Sequence, residues 1–174
     1  MTDTGGIVIE RDLMVPARDG VLLATDVYRP HGPGPFPVLL ERTPYDKSAS
    51  SRSERSAAVA RPRSRTEVAA YFVGYGYAVA YQDCRGRYRS GGHFTKYLSE
   101  AEDGYDALAW LQRQPWCNGR VGTFGLSYAA HTQAARVWRQ GGDRFGQPPG
   151  RAGRAMPGRS ALRDVVGPPG PRSQ

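Results

Sequence analysis

RVGTFGLSYAAHTQAAR, residues 120–136, is the stretch that decides how this chain folds. Its first half is a short, largely apolar run. Its second half is rich in alanine, the best helix former. Between them, Gly125-Leu126-Ser127-Tyr128-Ala129 fits G-x-S-x-G with alanine in the last place. That pattern sets a serine on a sharp strand-to-helix corner with its oxygen projecting from the sheet. It needs small residues two positions away on each side so that strand and helix pass closely. The helix start would also aim backbone N–H groups, including that of Tyr128, at a developing oxyanion. The same residues are compatible with an ordinary βα turn that happens to carry a serine.

Working back from the corner, residues 99–114 have helical spacing, with Leu98, Ala101, Tyr105, Leu108 and Leu111 as the expected buried face. Ser99 with Glu102 reads as a capping box. The acids at 100, 102, 103 and 106 suit the positive end of a helix, and Pro115 ends it. YAVAYQD (77–83) reads as a strand and TEVAAYFVG (66–74) as a helix. Residues 48–65 read as a polar, basic surface loop or frayed helix. FPVLLERTPY (36–45) begins as a buried strand and breaks at Pro44. IVIERDLMV (7–15) and VLLATDVY (21–28) form a hairpin around Asp19-Gly20. The fold class is therefore α/β, an antiparallel edge hairpin followed by a parallel βαβ sheet.

Composition narrows the class. Hydrophobic residues are 39% and charged residues 23%, as in a soluble globular protein, and no apolar run is long enough to span a bilayer. The N-terminus lacks the basic start and apolar stretch of a secretory signal, so a cytoplasmic setting is expected. Cys84 and Cys117 have no metal spacing, and neither have the histidines, so no cofactor or metal is expected. The net charge of +8 is uneven: residues 136–174 hold eight Arg, no Lys and two Asp, which is +6. With eight Gly and six Pro, this segment has no hydrophobic period. The expectation is a domain over 1–135 and a disordered tail over 136–174.

ARDGVLLATDVYRP, GPFPVLLERTPYDK, GYAVAYQDCRGRYRSGGHF, EAEDGYDALAWLQRQPWCNGRVGTFGLSY and TQAA resemble, in order and spacing, the CocE/NonD hydrolases. This is the family of cocaine esterase and the X-prolyl dipeptidyl-peptidases, built on an α/β-hydrolase domain. The resemblance covers roughly residues 7–135, the N-terminal part of such a domain. It implies that Ser127 is an acyl-accepting nucleophile, that the Tyr128 backbone N–H is one oxyanion donor, and that the Tyr45 hydroxyl is the second. Asp83 and Arg85 match a loop near the catalytic centre. Their own chemistry favours a structural role, a carboxylate paired with nearby arginines. Gly86, Gly91 and Gly92 are not followed by the Lys-Ser/Thr of a phosphate loop. Trp110 and Trp116 read as packing residues.

In α/β-hydrolases the triad runs Ser, Asp or Glu, then His along the chain. His131 lies one turn beyond Ser127 on the same helix and points along it, so it is not expected to act as base. His31 and His93 precede the serine and read as surface residues. Asp143 and Asp164 follow it, but both lie in the tail and no histidine comes after them. The expected function is a serine hydrolase of ester or amide bonds acting through an acyl-enzyme, on a small ester or peptide substrate. Its triad Asp and His are missing, so this form is expected to be weakly active or inactive. The composition break after TQAA suggests a frame shift in a GC-rich gene. The alternative function is a non-catalytic protein whose basic tail binds polyanions without sequence specificity. A membrane partner is not expected; a homo-oligomer is possible.

Overall fold

A computed structural model describes residues 2–3, 6–50 and 61–142 of the 174. Strands β1 (Thr2–Asp3), β2 (Ile7–Pro16), β3 (Leu22–Pro30), β4 (Phe36–Thr43), β5 (Ala78–Asp83) and β6 (Cys117–Thr123) form one sheet in the order β1-β2-β3-β5-β4-β6. The β1-β2, β2-β3 and β3-β5 pairs are antiparallel, and β4 is parallel to both its neighbours, β5 and β6. The turn joining β2 to β3 is made as its residues require: Gly20 sits at φ 85° and donates to the Ala17 carbonyl. The β2–β3 register shifts between Glu10 and Leu13, where Asp12 adopts a positive φ.

Two parallel crossovers build the rest. Helix α1 (Arg65–Gly74) links β4 to β5, and α2 (Glu100–Gln112) links β5 to β6, which pairs on the far side of β4. The alternation along β5 divides the core. Ala78 and Ala80 face a cluster with Val27, Val38, Leu40, Ala107, Leu108, Leu111 and Trp116. Val79 and Tyr81 face Ile9, Tyr28, Ala69 and Val73. A period of two on the central strand thus supplies both hydrophobic layers. Helix α3 (Tyr128–Gly142) packs against α2 and β4.

Several expectations change. Ser99 is in the left-handed region (φ 61°) and makes no side-chain cap to α2. The capping box is instead on α1, where Ser64 Oγ accepts from the Glu67 N–H and the Glu67 carboxylate accepts from the Ser64 N–H. Residues 61–65, read as a surface loop or frayed helix, include this cap and the start of α1. The buried face of α2 keeps the expected Leu108 and Leu111 but differs toward its N-terminus: Leu98 and Tyr105 are exposed, while Glu100, Asp103, Gly104 and Ala107 are buried. The cause is a buried cation. Arg42, near the C-terminal end of β4, draws Glu100 and Asp103 inward by ion pairing at 2.8 and 3.6 Å.

Helix α3 runs past residue 135 to Gly142, and residues 136–140 hold no glycine or proline. Residues 51–60 and 143–174 lie outside the described residues, and with them most of the tail expected to be disordered. Among the described residues, no helix is long and apolar enough to cross a membrane, and no cluster of His, Cys, Asp and Glu could hold a metal ion.

Candidate active site

Parallel strands end on a common edge, and in open α/β sheets ligands bind beyond their carboxyl ends. Here β4 and β6 are neighbours, with Leu40 opposite Thr123 and the Phe124 N–H donating to the Leu40 carbonyl. The chain leaving β6 reaches Ser127, and the chain leaving β4 reaches Tyr45.

The turn into α3 is strained in the way its sequence pattern requires. Ser127 has φ 57°, a left-handed backbone in a residue with a side chain. Gly125 has φ 120°, and a Cβ there would lie 2.6 Å from the Ala129 Cβ and 3.2 Å from the Glu41 Cγ. The first small residue of the motif is therefore obligatory. The contact with Ala129 shows why the last place must also be small. The Gln133 side chain donates to the Gly125 and Ala129 carbonyls at 3.1 and 3.0 Å, tying the elbow to the helix it starts. Tyr128 is the first residue of α3, and the first N–H groups of a helix have no intrahelical acceptor.

The Tyr128 side chain points the other way. Its hydroxyl donates to Glu100 Oε1 at 2.9 Å and accepts from the Tyr97 N–H at 2.9 Å. Burial, with the Glu100 carboxylate beside it, pushes this phenol well above its ordinary range. Glu100 accepts in turn from Arg42 Nη1 at 2.8 Å. The elbow therefore rests on a buried Arg42–Glu100–Tyr128 chain. His131 packs its ring edge-on against Tyr97 at 4.3 Å and also contacts the Tyr128 ring.

Tyr45 is 38% exposed, on a loop held from below. The Tyr45 N–H donates to Thr43 Oγ1, and the Lys47 N–H donates to Asp83 Oδ1 at 2.8 Å. The Lys47 ammonium is buried and donates to Asp12 and Asp26 at 2.7 and 2.6 Å. Burial works to lower its pKa, but those two carboxylates outweigh burial and the net shift is upward. Asp83 is fully buried and accepts from two backbone N–H groups, of Lys47 and Arg89. Burial still raises its pKa. Its role is structural, as its chemistry suggested, though its partners are amides rather than arginine side chains. Arg85 pairs with Asp19 and Asp103.

Tyr45 and Ser127 line one cavity of about 250 Å³, together with Glu41, Thr43, Arg65, Leu126 and Ala129. No histidine is among the described residues that line it; His31 and His93 are exposed elsewhere. Glu41, Arg42 and Arg65 are site residues that no catalytic motif in the sequence marks. The signal was present in VLLERT: a buried parallel strand is ordinarily a continuous apolar run, so a Glu-Arg pair inside one must find partners.

A mixed sheet with a serine held at positive φ between a strand and a helix defines the class, an α/β-hydrolase fold with its serine elbow. The comparisons agree. The chain belongs to the X-Pro dipeptidyl-peptidase (S15) family, whose profile matches residues 19–140. It is 43% identical over 130 residues to the cocaine esterase of Rhodococcus sp. (strain MB1 Bresler), a match covering 74% of this chain and 21% of that one. Among solved structures it resembles an α-amino acid ester hydrolase, with 31% identity and a TM-score of 0.62, over 76% of this chain and 23% of that one. It also resembles a CocE/NonD family hydrolase from Staphylococcus aureus, with 30% identity and a TM-score of 0.65, over 75% of this chain and 25% of that one. The chain thus spans about a fifth of the length of the curated relative and about a quarter of the solved ones.

Proposed function

We propose that this chain carries the nucleophile and oxyanion hole of a serine hydrolase that cleaves ester or amide acyl bonds. The observation that carries the reading is Ser127 at φ 57° on the β6–α3 corner, in the one cavity that Tyr45 also lines. Ser127 Oγ attacks the substrate carbonyl. The Tyr128 N–H and the Tyr45 hydroxyl donate to the oxyanion that forms, and the leaving group departs as the acyl-enzyme is made. Water then releases the acid. None of the three histidines, His31, His93 and His131, lines the cavity, so the base that takes the serine proton and the carboxylate that orients it are assigned to no residue of this chain. The names of the relatives, an esterase and an amino acid ester hydrolase, support small esters as first substrates to try. The domain proposed for this chemistry is 1–135 together with the rest of α3.

The test is a stopped-flow assay with p-nitrophenyl acetate. An acyl-enzyme mechanism gives a burst of p-nitrophenol, up to one equivalent per protein, that Ser127→Ala removes. Release that is linear from time zero and unchanged in Ser127→Ala would refute the reading.

A further inference from the structure

The two proposed oxyanion donors stand on different segments. Tyr45 is on the loop after β4, and the Tyr128 N–H is at the start of α3. An oxyanion hole works only when its donors hold a fixed spacing, so something must set the distance between these segments.

Arg65, the first residue of α1, lines the cavity that both segments border. It is 3% exposed. Its Nη1 donates to the carbonyls of Asp46 and Ala49 at 2.7 and 2.8 Å. Asp46 is the residue next to Tyr45 and has φ 68°. A bridge between Ser50 and Ser64 closes the same loop onto the start of α1. On its other side, Arg65 Nη2 donates to Glu41 Oε1 at 2.9 Å, an ion pair 3% exposed at both ends. Glu41 reaches the elbow directly, since its Cγ lies 3.2 Å from where a Gly125 Cβ would stand. Arg65 and Glu41 also line the cavity between Tyr45 and Ser127, and the guanidinium lies 5.6 Å from the Tyr81 ring centroid. A single planar group thus holds the carbonyl beside one donor and the carboxylate packed under the elbow of the other.

We infer that Arg65 is a positioning residue for this site, setting through Glu41 and the Asp46 carbonyl the separation between the Tyr45 hydroxyl and the Tyr128 N–H. The inference rests on the reading given under Proposed function. Stability alone does not call for this pair, because well-packed apolar residues often replace a buried ion pair without loss. The specific feature is the fork. A guanidinium offers donors fixed in one plane to three acceptors, one on β4 and two on the loop after it, and an ammonium cannot reproduce that arrangement.

A double-mutant cycle on the full chain tests it, using the rate at which a fluorophosphonate phosphonylates Ser127. In that reaction the serine oxygen bonds to phosphorus, fluoride leaves, and the phosphoryl oxygen takes the oxyanion position. Tyr45→Phe is expected to slow phosphonylation about 10²-fold, the typical effect of one donor. Arg65→Met is expected to slow it on the order of tenfold or more, and by less than about twofold once Tyr45 is already Phe. Arg65→Lys, which keeps the charge, serves where Arg65→Met does not fold; it is expected to slow the reaction as well, again only when Tyr45 is present. A wild-type rate in Arg65→Lys, or a loss that multiplies fully with that of Tyr45→Phe, overturns the inference and leaves the proposed function standing. A wild-type rate in Tyr45→Phe removes the oxyanion assignment and the inference with it. An unlabelled Ser127 in the wild-type chain removes the proposed function as well as the inference.

Discussion

Ser127 carries backbone strain that a glycine would relieve. At φ 57° a side chain costs about 1–2 kcal/mol relative to glycine. Ser127→Gly should therefore be more stable than Ser127→Ala by about 1 kcal/mol in urea denaturation, while neither variant gives a burst. Equal stabilities would mean that the corner is not strained as described. Gly125 is the reverse case. A Cβ there meets Ala129 at 2.6 Å in a backbone conformation that disfavours any side chain, so Gly125→Ala should cost about 2–3 kcal/mol by the same measurement. Much of the site was legible at this scale. The elbow could be read because its constraint is local: one left-handed residue with small neighbours. Tyr45 was reached only through family resemblance, since nothing local in TPYDK says that its loop comes down beside a serine 82 positions later.

Helix caps and buried faces are matters of the element. Ser64 and Glu67 cap α1 reciprocally, so Ser64→Ala should lower stability by about 1 kcal/mol. Ser99 makes no cap to α2, so Ser99→Ala should stay within about 0.5 kcal/mol of wild type. The opposite ranking in chemical denaturation would restore the capping box the sequence suggested at Ser99. Both serines stand three residues before a glutamate, and sequence spacing cannot separate them. What separates them is where Arg42 lies, because α2 turns Glu100 and Asp103 toward it and takes its N-terminal geometry from that contact. The same force turns the acids inward and leaves Leu98 and Tyr105 exposed, while Leu108 and Leu111 are buried as their spacing predicts. Truncating Glu100 to alanine would leave Arg42 buried beside the lost carboxylate and remove the acceptor of the Tyr128 hydroxyl. A loss of about 3–5 kcal/mol is expected.

Over the whole molecule, the arrangement of strands followed from alternation and from the order of segments, while the charge network did not. Lys47, Asp12, Asp26 and Asp83 come from four separate segments, and only the folded sheet brings them together. They make stability depend on pH. Asp12, beside the Lys47 ammonium, is held below 3.8, and Glu67, beside Arg61 and the Ser64 cap, is lowered to about 2. A depressed carboxyl contributes stability above its unfolded pKa and loses it as pH falls through its folded one. Lys47 is raised above 10.5, so its contribution is complete below that value and is lost as pH rises through the folded pKa. Asp83 acts oppositely: with its pKa raised by burial, its ionisation in the folded state costs stability above 3.8. Thermal midpoints should therefore hold level from about pH 5 to about pH 9 and fall on both sides, since burial also raises the Cys84 thiol and the Tyr128 phenol above their ordinary values of 9.0 and 10.0. Lys47→Met should lessen the alkaline fall, leaving the part carried by Cys84 and Tyr128. An alkaline limb unchanged in that variant would show that Lys47 does not carry it.

Ser127, among all the serines of this chain, is the proposed nucleophile of a hydrolase. Treating the full chain with a fluorophosphonate and mapping the adduct by peptide mass spectrometry tests it most directly. The account predicts a single phosphonyl adduct on Ser127, absent from Ser127→Ala and slowed in Tyr45→Phe. An unmodified Ser127, or label spread over exposed serines such as Ser48 at comparable rates, would contradict it.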